Sequence, residues 1–235
     1  MSKMVLIELQ YQNYLLHWEK AKRYPPLQPF EQRDHGIDAD STFPELLHSG
    51  VKVNDLTPTI GTEVTGVQLT KLSPTGKDQL ARYVAERKVV AFRDQDFADL
   101  PIPETLEYAR YFGRLHIHPT SGAPKGYPEV HPVHRGAGDK TAEQFFQTRI
   151  SSVAWHSDVS YELQPPGTTF LYILDTPEAG GDTLLANQVE AYNRAGKCVE
   201  RKGRSGAKRT SDLRASNCAD TSCDGRKGSI CQPTM

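Results

Sequence analysis

The feature that most limits the fold of this chain is a series of short apolar segments separated by turns between residues 152 and 186. Thr168–Leu174, which follows a turn at Pro165–Gly167, is predicted to be a core strand. Another short strand is predicted over Asp182–Ala186, after a Gly-Gly turn at 180–181. Short strands at this spacing favour a β-sandwich or jelly roll over a parallel α/β sheet. The first segment of the series, 152–161, is predicted to be a strand and contains the most informative pair of residues.

That pair is His156 and Asp158, an H-x-D spacing. Residues i and i+2 of a strand point to the same face, so one imidazole and one carboxylate can converge on one cation. They form two-thirds of the 2-His-1-carboxylate triad that holds non-heme Fe(II) with open positions. His156 is the last of the 8 histidines, so no later histidine can complete the triad. A hydrogen-bonded core histidine is the alternative interpretation of His156 alone.

Helical patterns interrupt the strand patterns in the body of the chain. Thr59–Leu69 has β-branched residues with Gly61 and Gly66 among them, so it is predicted to form strands with a bulge or turn. Ser73-Pro74 is typical of an N-cap followed by proline at the first helical position. Lys88–Phe92 is predicted to be a short buried strand, a second helix is predicted from Pro103 to Gly113, and a third begins at Val189. The predicted fold class is therefore mainly β with flanking helices (α+β).

The chain is divided into three regions. Residues 1–50 are predicted to contain an amphipathic helix over Val5–Trp18 and a proline-rich arm over Tyr24–Phe30. We expect the arm to pack on its own domain, although an SH3-type ligand is an alternative. The globular body spans 51–195, and a disordered basic tail is predicted over 196–235.

The tail differs sharply from the body in composition. Residues 196–235 contain no aromatic residue, 9 Lys/Arg against 4 Asp/Glu, and all 4 cysteines of the chain. Such a segment buries too little apolar area to offset its ordering entropy. The abrupt change near Ala195 suggests a shifted reading frame, a retained intron or an early stop. Two alternatives exist for the tail. A zinc site would need a ligand spacing that the cysteines do not have. A nucleic-acid contact would need aromatic residues for stacking, which the tail lacks.

Composition also limits the partners and the compartment. The formal net charge is −1, which favours neither nucleic acid nor an acidic surface. No apolar run is long enough to span a bilayer, so we expect no membrane partner. A body without cysteine suits a reducing, cytoplasmic location.

Several ordered blocks resemble the TauD/TfdA family of Fe(II)- and 2-oxoglutarate-dependent dioxygenases, with the fungal sulfonate dioxygenases nearest. The blocks comprise 88–95, 112–119, 155–161, 165–168, 180–184 and 191–192. The resemblance covers roughly Val51 to Ala195 and implies the N-terminal part of a double-stranded β-helix (jelly roll), truncated before its second half.

The resemblance implies a role for four residues. His156 and Asp158 would bind Fe(II), Thr183 would hydrogen-bond the 2-oxoglutarate carboxylate, and His118 would contact the sulfonate of a small organic substrate, with O2 as co-substrate. The family's third ligand, a later histidine, and its 2-oxoglutarate-binding arginine have no counterpart here. The family's tyrosine after His118 is replaced by Thr120–Gly122, which makes taurine itself an unexpected substrate.

The sequence leaves alternatives open. We expect the chain to be an impaired dioxygenase. One alternative is a non-catalytic fragment that binds a full-length homologue, and another is a cupin-like metal-binding protein with a different third ligand. A homo-oligomer is one of the assemblies open to the chain. His116, His131 and His134 are expected to be loop histidines, with a second metal pair at His131 and His134 as the less favoured interpretation.

Overall fold

The computed structural model describes residues 11–17, 24–25, 28–119, 121–133, 155–176, 178–179 and 182–195. The predictions for the first ten residues, for His134 and for the tail at 196–235 lie outside these ranges.

The described residues form three helices and five short strands. The helices are α1 (Pro74–Arg87), α2 (Ile102–Arg110) and α3 over 188–195. The strands are β1 (Leu16–His17), β2 (Lys52–Asp55), β3 (Thr62–Thr65), β4 (Val90–Phe92) and β5 (Ala123–Pro124). Single 3-10 turns occupy Gln12–Tyr14, Leu69–Lys71 and Phe97–Asp99. The described chain thus combines small sheets with flanking helices, in agreement with the predicted class.

The larger sheet has the order β2-β3-β4. β2 and β3 are antiparallel, and β3 and β4 are parallel. Gly61 and Gly66 flank β3 with φ values of 87° and 94°, a conformation that glycine adopts without strain. A Cβ on Gly66 would lie 2.9 Å from the carbonyl oxygen of Gly50. The predicted strand with glycine turns around 59–69 is confirmed.

Helix α1 begins where the sequence predicts. The Ser73 side chain accepts a hydrogen bond of 3.0 Å from the backbone N–H of Gly76, and Pro74 occupies the first helical position. The inward face of the helix carries Leu80, which is 2% exposed, and Tyr83.

One hydrophobic core joins the sheet, the helices and the segment before β2. Its buried members are Phe43, Leu46, Val64, Val67, Leu69, Leu80, Tyr83, Phe97 and Tyr108. Leu46 and Val64 are fully buried, so residues preceding position 50 contribute to the same core as the central strand. None of the helices in the described ranges has the length and apolar character that crossing a bilayer requires.

The predicted core strand Thr168–Leu174 is not part of a ladder. Even-numbered side chains face the core, since the Phe170 ring lies 5.9 Å from that of Tyr108 and Tyr172 stacks at 6.2 Å on Phe97. Odd-numbered side chains face solvent, with Leu171 70% and Ile173 63% exposed. The alternation of a strand is therefore present, but the segment has no strand pairing and one face stays open, so the predicted core strand is not formed.

The other predicted strand of this region also differs. Residues 182–187 are irregular and have no strand pairing, and Leu184 and Leu185 are 57% and 58% exposed. A strand requires a hydrogen-bonded neighbour, which the local sequence does not supply. The predicted third helix is confirmed as α3, with Asn187 accepting a hydrogen bond of 3.1 Å from the backbone N–H of Glu190.

The predicted N-terminal helix is wrong for the described residues 11–17. β1 pairs antiparallel with β5, with Leu16 opposite Pro124, so a tertiary contact overrides the helical pattern.

β4 is the edge of its sheet, with Ala91 exposed and its two neighbours half-buried, so the expectation of a buried strand is also wrong.

Candidate functional site

The H-x-D pair lies at the surface of the described structure. Nε2 of His156 is 3.1 Å from Oδ1 of Asp158, and the two side chains are 63% and 81% exposed. The imidazole and the carboxylate thus converge, as the spacing predicts.

The backbone that brings them together is not the predicted strand. Residues 155–157 are irregular and 158–161 form a turn, closed by a 3.1 Å hydrogen bond from the N–H of Glu162 to the carbonyl oxygen of Val159. Val159 is 7% exposed and has a φ of 43°, a conformation that β-branched residues rarely adopt. Packing of this side chain into the interior reverses the chain after Asp158, so the predicted strand over 152–161 is wrong for its described part.

The spacing of the two side chains fits a shared metal ion. When two ligand atoms each lie about 2.1 Å from one metal ion and the angle between the two bonds is about 90°, the ligand atoms are about 3.0 Å apart. The observed 3.1 Å between His156 and Asp158 agrees with this geometry. Within the ranges described, no three His, Cys, Asp or Glu side chains gather closely enough to hold a metal ion. Among the described residues, the candidate site therefore consists of two possible ligand side chains, His156 and Asp158.

The turn is joined to the start of α3 by residues that the sequence analysis missed. Nε2 of Gln188 donates a 2.6 Å hydrogen bond to Oγ of Ser157, the residue between the two candidate ligands. Nδ2 of Asn187 donates a 2.9 Å bond to the carbonyl oxygen of Thr59. Thr183 lies in the irregular segment that leads into these residues, and it is exposed. The hydrogen bond of Gln188 thus places the start of α3, five residues after Thr183, beside the H-x-D turn.

His118 pairs with a histidine that the sequence left as a loop residue. The rings of His118 and His131 stack with their centroids 4.9 Å apart at 29°. Burial is the main cause that lowers the pKa of His131, and the positive charge of His118 adds to it, while the carboxylate of Asp158 acts in the opposite direction. His131 is therefore within electrostatic reach of both candidate sites, and nothing in its sequence spacing could have indicated this.

Comparison with known proteins defines the class of protein. The model of the taurine catabolism dioxygenase TauD, TfdA family matches residues 52–199. Since this match covers more than half of the chain, the protein belongs to that family, and the resemblance drawn from the sequence blocks is confirmed. Dependence on 2-oxoglutarate and, generally, on Fe(II) is a property of the family.

The chain is also similar to individual curated dioxygenases of fungi. The chain is 43% identical over 195 residues to an alpha-ketoglutarate-dependent sulfonate dioxygenase of Saccharomyces cerevisiae, covering 81% of this chain and 47% of the relative. It is 40% identical over 185 residues to the alpha-ketoglutarate-dependent dioxygenase cnsM of Penicillium expansum, covering 78% of this chain and 52% of the relative. The chain thus spans about half the length of the curated relatives it matches.

Proposed function

We propose that residues 51–195 are the N-terminal part of an Fe(II)- and 2-oxoglutarate-dependent dioxygenase domain that acts on a sulfonate or a related small organic acid. Family membership and the sulfonate dioxygenase among the relatives support the reaction class. The single observation that carries the proposal is the 3.1 Å approach of the His156 imidazole to the Asp158 carboxylate.

His156 and Asp158 would hold the metal. Imidazole nitrogen and carboxylate oxygen suit Fe(II), and the ligands bind as neutral imidazole and ionised carboxylate. When bound, iron with 2-oxoglutarate and O2 supplies the oxidation of a substrate C–H bond. The chain's contribution is to fix both ligands on one turn, which Val159 anchors in the interior.

Thr183 and His118 would bind the two organic acids. The Thr183 hydroxyl can donate a hydrogen bond to a carboxylate oxygen of 2-oxoglutarate. An N–H of His118 can donate to an anionic oxygen of the substrate, and charge-assisted bonds of this kind are the stronger ones. Stacking on His131 limits how the His118 ring can turn, which favours one orientation of the bound anion.

We infer that this chain alone is impaired. A later histidine and arginine with the family's roles have no counterpart in its sequence, and a two-ligand site holds iron less tightly than a triad. Leu171 and Ile173 support the same conclusion about the fold, because they are large apolar side chains that are 70% and 63% exposed, as expected where a strand lacks part of its cover. We therefore propose that the chain represents part of a double-stranded β-helix.

The metal proposal is tested by anaerobic titration with Fe(II) and 2-oxoglutarate, followed by absorption spectroscopy. The expected result is a weak visible charge-transfer band that is lost in His156→Ala and in Asp158→Ala. His48→Ala is the matched control, since His48 is exposed and its Nδ1 contacts only the neighbouring backbone oxygen of Ser49 among the described contacts. A band that survives both ligand substitutions, or that the unmodified chain does not produce, would overturn the assignment.

A further inference from the structure

Two segments that are distant in sequence carry the candidate substrate and metal residues. His118 lies in the irregular segment 114–119, and His156 and Asp158 lie in the turn region 155–162. The distance between a bound anion and a bound metal therefore depends on contacts that join these two segments.

One such contact is a partly buried ion pair. Nε2 of His116 lies 3.0 Å from both carboxylate oxygens of Glu162. The side chains are only 18% and 23% exposed, in contrast to the exposed His156–Asp158 pair. Water and salt screen a pair of this burial less than a surface pair, and contact with both oxygens limits rotation of the carboxylate.

We propose that His116 and Glu162 are positioning residues that fix the metal-binding turn relative to the substrate-binding histidine. The inference rests on the proposed function. His116 is two residues before His118, and Glu162 is four residues after Asp158, at the end of the turn. Movement of either partner would be transmitted over a few bonds to a candidate ligand.

The proline-rich arm supports this ion pair on both sides. The Gln164 side chain forms two 3.0 Å hydrogen bonds with the backbone of Phe30, one from the Phe30 N–H and one to its carbonyl oxygen. The guanidinium of Arg114 lies 5.3 Å from the centroid of the Phe30 ring and donates a 3.3 Å bond to the carbonyl oxygen of Gln28. Residues 28–30 thus contact the segment of His116 and the segment of Glu162, which keeps the two close together.

The test compares three variants of the full chain: His116→Leu, Glu162→Leu and Glu162→Gln. The first measurement is hydrogen exchange of the peptides covering 114–119 and 155–162, and the second is the dissociation constant for Mn(II) alone. Both leucine variants should exchange faster in both peptides and bind Mn(II) about tenfold more weakly, within the range that supporting residues around metals show. The double variant should be no worse than either single one, because the pair acts as a unit. Glu162→Gln keeps an acceptor oxygen and should restore the affinity to within about threefold.

A second histidine–carboxylate pair provides the matched control. Nδ1 of His35 lies 3.0 Å from Oδ1 of Asp78, with side chains 18% and 32% exposed, on the face of α1. His35→Leu should leave both peptides and the Mn(II) affinity unchanged. Equal effects of His35→Leu and His116→Leu would overturn the proposal. If the unmodified chain binds no Mn(II), the proposed function fails, but hydrogen exchange still tests the positioning role. Faster exchange of the two leucine variants, confined to the two peptides, supports that role. Unchanged exchange of these variants refutes it.

Discussion

Replacing Val159 tests whether packing imposes the turn that carries Asp158. Val159 is 7% exposed and has a φ of 43°. Val159→Ala removes two buried methyl groups, at about 0.8 kcal/mol each plus a cavity contribution, so we expect a loss of about 2 kcal/mol in the free energy of unfolding. Val159→Gly removes one carbon more, but glycine adopts positive φ without strain.

The order of the two variants is the diagnostic result. At an ordinary strand or helix position glycine is about 0.5–1 kcal/mol less stable than alanine. At positive φ the order reverses, because alanine retains a left-handed penalty of about 1–2 kcal/mol. We therefore expect Val159→Gly to be about 1 kcal/mol more stable than Val159→Ala.

Urea unfolding followed by tryptophan fluorescence measures the difference, since Trp155 lies directly before the turn. Val64 is the matched control, because it is fully buried in the regular strand β3. Val64→Gly should be less stable than Val64→Ala. If glycine is the less stable residue at both positions, Val159 does not hold the strained turn described above, and the account of the reversed chain is wrong.

Three further predictions follow from the described contacts. Ser73→Ala should lower the free energy of unfolding by about 1 kcal/mol in urea titrations, because the cap of α1 loses its acceptor. Burial lowers the pKa of His131 below its ordinary value of 6.5, so its contribution to stability is complete above that pH and is lost as the pH falls through the folded-state pKa. His131→Asn should accordingly weaken the decline in stability as the pH falls below about 6.5; an unchanged pH profile would contradict the shift. Leu171→Thr should change stability by less than about 0.5 kcal/mol, whereas Leu80→Ala should cost about 2–5 kcal/mol in the same assay.

Local signals in the sequence predicted the elements that local contacts form. The Ser73-Pro74 start of α1 is fixed by a side chain three residues from its partner, and the glycines around β3 are required by their own φ values. The H-x-D convergence was also predictable, since only one residue, Ser157, lies between His156 and Asp158.

Contacts between distant segments were not predictable. The strand expected over 152–161 fails in its described part, where the buried Val159 has a positive φ inside a turn. The apolar segment 168–174 alternates as a strand does, but strand pairing depends on a neighbour that its own residues cannot specify. The stacking of His118 on His131 and the contact of His116 with Glu162 join residues 13 and 46 positions apart.

The preorganisation of the candidate metal site therefore cannot come from the His156–Asp158 pair itself. Both side chains are more than half exposed, and exposed ion pairs contribute about 0–1 kcal/mol, so thermal motion separates them easily. The buried Val159 lies on the turn itself, and Glu162 at its end contacts His116 of the segment 114–119 in a pair that is largely shielded from water. On the proposed assignment, the geometry of the two ligands is set by residues that do not bind the metal, and substitutions at those residues should alter metal affinity although the chemistry of both ligands is unchanged.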